Sequence, residues 1–219
     1  FTKIGREITV CIKEGGGDPS TNSKLRDLIS KAKANNVPND NIDRVIKKAS
    51  GGDDKNDYVS IVYEGYGPNG VAVIVETLTD NKNRTAADVR HYFDKFGGNM
   101  GASGCVSFMF NSKAIVITEN KGYDEDKVME DCMESNADDF SIEDDTVEFI
   151  ASPSELKTVK DGLEAKGYII LSAEIEQVPD NYVSLTDEES IKKMELLLEH
   201  LEDNDDVQNV WHNWENEEC

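Results

Sequence analysis

The first fifty residues carry ten Lys and Arg against six Asp and Glu, and these cations are the residues whose type and spacing could do chemistry. That chemistry is phosphate neutralisation. Lys24 and Lys31, and likewise Arg26 and Lys33, are seven apart and repeat on the same faces of a helix. Arg44, Lys47 and Lys48 close a following helical stretch, and Lys3 and Arg6 lie on the one before. The same residues also fit ordinary solvated faces, with the terminal Lys complementing the helix dipole. Downstream, Tyr66 in the glycine-flanked turn GYGPNG is an aromatic where solvent is expected, able to stack on a base or a partner. With Asn81 and Arg84 of DNKNRT it forms a second candidate contact. Against this stand a tyrosine lying over a sheet edge and a solvent-facing helix of mixed charge.

Other chemistries find less support. No nucleophile elbow is present, and Cys105 sits in an apolar segment as a core thiol would. The four Cys form no CxxC pair and the three His have no ligand spacing, so no metal site, disulfide framework or cofactor is expected. The run EGGGDP lacks the Lys-Ser/Thr of a phosphate loop and reads as a helix end and linker. Acidic clusters at Asp138–Asp139, Asp144–Asp145 and Asp203–Asp206 lack calcium-loop spacing and read as turns and solvated faces. No catalytic residue and no small-molecule substrate are assigned.

These residues need elements to hold them. Phe1, Ile4, Ile8 and Cys11 form the stripe of a first helix; Leu25, Leu28, Ile29 and Ala32 that of a second; Ile42, Val45, Ile46 and Ala49 that of a third. The period then drops to two in VSIVYE and VAVIVETL, a hairpin turned by Pro68-Asn69-Gly70. A helix with Asn83 as N-cap and Ala86, Val89, Phe93 and Phe96 inward follows, and CVSFMF reads as a returning strand. Residues 113–178 run strand, helix, strand, strand, helix, strand, the order of a ferredoxin-like sandwich. Capping boxes are expected at Ser152 to Glu155 and at Thr186 to Glu189. The last helix and the strand VQNVWHNW lack a full core, so they are expected to rejoin the hairpin's sheet.

The fold class is therefore α+β in three domains: a helical bundle over 1–56, a discontinuous α/β domain over 57–112 and 180–219, and an inserted ferredoxin-like acidic domain over 113–179. Of 219 residues, 37% are hydrophobic and 31% charged, which excludes disorder, and no apolar run nears the roughly 20 residues of a membrane span. The net charge of −22 argues against nucleic acid as a whole, but it is unevenly spread. Residues 113–219 hold 8 basic against 31 acidic residues. Free thiols in apolar patterns suit a reducing compartment, so a cytoplasmic location is expected. The chain opens at Phe1 inside an amphipathic pattern, which points to a preceding segment.

Three stretches together resemble the YebC family, which includes the mitochondrial translational activator of cytochrome c oxidase subunit I. They are FTKIGREITVCIKEGGGDPSTNSKLRDLISKAKANNVPNDNIDRVIKKASG, YEGYGPNGVAVIVETLTDNKNRTAADVRHYFDKFGGNMGASGCVSFMF and VSLTDEESIKKMELLLEHLEDNDDVQNVWHNWE. The resemblance covers nearly the whole chain and is weakest over residues 113–180. It implies three domains and a non-enzymatic regulator of gene expression. The family label is DNA-binding transcriptional regulator, and a second line of family knowledge places members at the ribosome, relieving stalling at sequences such as proline runs. Family members begin with a strongly basic stretch that this chain lacks. The implied partner is nucleic acid, either DNA or ribosomal or transfer RNA, with the ribosome as its setting and no membrane; for a eukaryotic source the location would be the mitochondrial matrix. Lys3, Arg6, Lys24, Arg26, Lys31, Lys33, Arg44, Lys47 and Lys48 are then the expected phosphate contacts, and Tyr66, Asn81 and Arg84 the contacts to a second element. The competing reading is a protein-interaction module that uses its acidic surface without binding nucleic acid.

Overall fold

The computed structural model describes residues 1–52 and 57–215. Helices α1 (Thr2–Gly15), α2 (Ser23–Ala34) and α3 (Asn39–Ser50) follow the three apolar stripes. Ile8, Cys11 and Ile12 of α1 pack on Leu25 and Leu28 of α2 and on Ala49 of α3. Phe1, expected in that stripe, lies just outside the helix and is exposed. The buried Asn22 joins α1 to α2. Its Oδ1 accepts from the Leu25 amide (3.1 Å), capping α2, while its Nδ2 donates to the carbonyls of Cys11 (3.2 Å) and Gly16 (2.9 Å) at the end of α1. Asn36, at φ 57°, turns the chain out of α2 in the left-handed region that Asn tolerates. Both α2 and α3 lie along α1 but meet each other far less, which leaves a groove between them.

Strands β1 (Val59–Tyr66) and β2 (Ala72–Thr79) form the expected hairpin, in register from Val59 opposite Thr79 to Tyr66 opposite Ala72. Pro68–Gly70 make a 3₁₀ turn, with Asn69 at φ 53° and Gly70 at 82°. Helix α4 (Lys82–Lys95) leads to the short β3 (Asn99–Met100). The chain then runs through β4 (Phe110–Glu119), α5 (Glu125–Glu134), β5 (Asp139–Ile142), β6 (Thr146–Ala151), α6 (Leu156–Ala165) and β7 (Ile170–Pro179), and ends in α7 (Glu188–Asp203) and β8 (Val207–His212).

Two four-stranded antiparallel sheets result, ordered β3-β1-β2-β8 and β5-β6-β4-β7. The second is the ferredoxin-like order. Contacts divide the chain into two compact units, Phe1–Val106 with Val183–Cys219, and Ser107–Tyr182. In the first unit β8 pairs with β2, supplying the edge that the last helix and strand needed, and α4 and α7 bury Val89, Phe93, Met194, Leu197 and Leu201 against Val71, Val73 and Val75. In the second, Val128, Cys132, Val159 and Leu163 of α5 and α6 cover Val116, Val147 and Phe149. Among the described residues no helix is long and apolar enough to cross a membrane.

Four local expectations are corrected. The segment CVSFMF is not one strand: Ser107–Met109 form a 3₁₀ turn and β4 starts only at Phe110. The Glu64 carboxylate takes the amides of Gly104 (2.8 Å) and Val106 (2.9 Å), so these serve a loop and not a ladder. Asn81, not Asn83, caps α4 by accepting from the Arg84 amide at 3.1 Å. Asp187, not Thr186, caps α7 by accepting from the Ser190 amide at 2.8 Å. Ser152 makes no side-chain cap, because Pro153–Glu155 first form a 3₁₀ turn and α6 begins at Leu156.

Candidate nucleic-acid interface

The expected cations separate into those the fold pairs with acid and those it does not. Arg6 on α1 donates to Oδ1 of Asp206 (2.5 Å) and to the Leu78 carbonyl (2.8 Å), and its guanidinium lies 5.4 Å from the Tyr58 ring centre. Arg84 on α4 grips the same carboxylate, Nη2 at 2.8 Å and Nε at 3.2 Å from Oδ2, and pairs with Asp80 at 2.9 Å. Thr85 donates to Asp206 at 2.7 Å. Burial pushes the Asp206 carboxyl up, but the hydrogen bonds from Arg6, Arg84 and Thr85 outweigh it and hold the group below the usual carboxylate range. Lys3 donates to the Glu202 carbonyl; burial lowers its ammonium, and the carboxylates of Glu202, Asp205 and Asp203 oppose that.

Arg6 and Arg84 thus tie α1 and α4 to Asp206, Asn81 caps α4, Arg84 and Asn81 remain exposed, and Asp206 is a buried hub where a solvated acidic turn was expected. Tyr66 ends β1 half-buried, and its hydroxyl donates to the Cys105 carbonyl at 3.2 Å.

Lys24, Arg26, Lys33, Arg44 and Lys47 behave differently. All five are exposed, and among the described residues none makes an ion pair. Lys31 is half-buried and Lys48 exposed, and both take part in interactions of their own. The cations do not share one surface. Lys24 and Lys31 stand about 160° around the α2 axis from Arg26 and Lys33 at 100° per residue. On α3, at the same 100° per residue, Arg44 and Lys48 stand about 100° and 140° around the axis from the groove-lining Asp43, and Lys47 about 40° from it.

The groove has a volume of about 550 Å³. Arg26, Ile29 and Lys33 reach it from α2, and Ile42, Asp43 and Ile46 from α3, with Asn39 at the α3 start. Ile42 is buried, whereas Ile29 and Ile46 are half-buried and give the groove an apolar floor. One wall is therefore cationic, and the other carries hydrogen-bonding groups and one carboxylate.

Among the described residues of the first unit, neither cysteine resembles an activated nucleophile. Cys11 is buried, and burial followed by the nearby Glu64 carboxylate raises the Cys105 thiol, the opposite of what a reactive thiolate needs. No group of His, Cys, Asp or Glu among the described residues could hold a metal ion. Sequence reasoning missed two supports, Asp206 and Glu64. One lies within an acidic run and the other within a strand, so neither stands out by type or spacing.

Comparison with known proteins is consistent over the whole chain. Residues 1–52 match the profile described as the TACO1/YebC protein N-terminal domain, and residues 58–214 match that of the TACO1/YebC second and third domain. A "probable transcriptional regulatory protein" of Ruminiclostridium cellulolyticum is 55% identical over 219 residues, covering 100% of this chain and 88% of the relative. A protein of the same name from Clostridioides difficile is 53% identical over 216 residues, 98% of this chain and 90% of that one. The crystal structure of a conserved hypothetical protein from Aquifex aeolicus superposes with a TM-score of 0.86 at 42% identity, covering 98% of this chain and 88% of that one.

Proposed function

The chain belongs to the TACO1/YebC family, and from that membership we propose that it is a non-enzymatic regulator of gene expression that binds nucleic acid through its three N-terminal helices. The observation that carries this reading is the contrast in charge pairing. In a chain of net charge −22, Lys24, Arg26, Lys33, Arg44 and Lys47 are exposed and unpaired among the described residues, while Arg6 and Arg84 share one buried carboxylate. Unpaired cations are what phosphate binding requires. The name carried by the relatives supports the regulatory role.

Among nucleic acids the reading favours structured RNA, with the ribosome as its setting, over operator DNA. The cations stand on separate helix faces, which suits backbone contacts to several segments of a folded RNA better than a row of base-reading side chains in one groove. Such a factor works by position and breaks no bond. In this reading Arg6, Asn81 and Arg84 hold the fold, and the phosphate contacts fall to the cations of α2 and α3.

The test is co-sedimentation with ribosomes at low and moderate salt, beside a titration against duplex DNA. Association that survives moderate salt is expected, with only salt-labile DNA binding, and Lys24, Lys33, Arg44 and Lys47 reversed to Glu should abolish it. Unchanged binding by the reversed variant would sink the reading. The acidic unit Ser107–Tyr182, with 6 Lys against 19 Asp and Glu, favours the second reading, a module that binds a basic protein. Partners retained after nuclease treatment would establish that one.

A further inference from the structure

The groove between α2 and α3 joins three chemistries within one small volume, and an unpaired nucleotide has all three. Its phosphates need cations, and Arg26 and Lys33 stand seven residues apart on one wall, about 10.5 Å along the helix axis. Its base needs an apolar surface, and Ile29, Ile42 and Ile46 form the floor. Its Watson–Crick edge needs hydrogen-bond partners, and Asp43 stands on the opposite wall, exposed and without a partner among the described residues. The volume of about 550 Å³ falls within the range of small-ligand clefts.

We infer that this groove seats a single unpaired nucleotide, with guanine preferred. This rests on the nucleic-acid reading of the three helices and deepens it. An ionised carboxylate only accepts hydrogen bonds. Guanine alone among the four common bases presents two adjacent donors on its Watson–Crick edge, N1–H and the N2 amino group. Adenine and cytosine set one donor beside an acceptor, and uracil flanks its single donor with two carbonyls. In a duplex that edge is already paired, so the groove selects single-stranded or looped RNA. An acidic amphipathic helix, the other occupant that a basic rim could draw, would set its carboxylates against Asp43.

The full chain can be titrated by fluorescence anisotropy with a U-rich RNA of about 12 nucleotides, within the span of single-strand binders. The central position is guanosine, adenosine or abasic, and a fourth sample is the guanosine strand annealed to its complement. The guanosine strand should bind about tenfold tighter than the abasic one. Asp43→Asn should erase that preference, and Arg26→Gln with Lys33→Gln should weaken every strand alike. Equal affinity for the guanosine, abasic and duplex RNAs, or a preference that survives Asp43→Asn, would overturn the inference while leaving the nucleic-acid reading intact. Tight binding of an acidic amphipathic peptide without base discrimination would also overturn it. Failure of every RNA to bind would remove both.

Discussion

Asp206 holds two guanidinium groups and a threonine hydroxyl on one carboxylate that is 4% exposed. A carboxylate buried in this way is tolerable only because it is fully bonded, and removing it leaves Arg6 beside the Leu78 carbonyl without its anion. Asp206→Asn should cost about 2–3 kcal/mol in urea unfolding, less than the about 3–5 kcal/mol of a fully buried pair because Arg84 stays half-exposed. The sign of the pH effect follows from the direction of its shift. The folded carboxyl titrates below its ordinary value of 3.8, so its contribution is complete above that value and is lost as pH falls through the lower folded one. The acid limb of a stability-against-pH curve should therefore be shallower in Asp206→Asn, and an unchanged limb would remove Asp206 from this role.

Among the elements, the loop from Gly101 to Val106 is held in one conformation by a side chain outside it. The Glu64 carboxylate takes two of its amides, the Glu64 carbonyl takes the amide of Gly101 at 2.8 Å, and the Tyr66 hydroxyl takes the carbonyl of Cys105. Gly98 admits no side chain, because a Cβ there would lie 2.4 Å from the Tyr66 carbonyl oxygen. Glu64→Gln removes the charge from two charge-assisted bonds and should cost about 1–2 kcal/mol. The Gly104 and Val106 amides should exchange with solvent about tenfold faster while those of β2 hold their protection, as expected of a local opening. Uniform loss of protection across the sheet would instead mean that Glu64 supports the whole unit.

Across the whole molecule, charge separates by segment. The cations concentrate in the first fifty residues, and 31 of the 45 acidic residues follow residue 112. Self-repulsion between phosphate and the acidic remainder limits affinity, so binding should depend on a few contacts and respond to salt accordingly. With the five cations of α2 and α3 that are unpaired among the described residues as the phosphate contacts, a plot of log affinity for duplex DNA against log salt should have a slope no steeper than about −4.5, at about −0.9 per phosphate. A markedly steeper slope would bring in cations that the fold pairs internally, Arg6 and Arg84 first.

Helices, strands and their order were legible from periodicity, because burying one face of an element demands a spacing that is local in the chain. That holds for the stripes of α1 to α3, for the β1–β2 hairpin with its Pro68–Gly70 turn, and for the strand order of the second sheet. The positive segment at the start could be read from residue counts alone. Which cations are free could not. Arg6 and Arg84 look as available as Arg26 and Lys33 until the chain folds, and what separates them is Asp206, some 200 residues beyond Arg6 and 122 beyond Arg84. The groove is equally invisible, since it exists only because α2 and α3 both lean on α1 and diverge from one another. Periodicity reports which face of an element is buried, whereas pairing between charges depends on long-range placement, and that is set by how the elements pack.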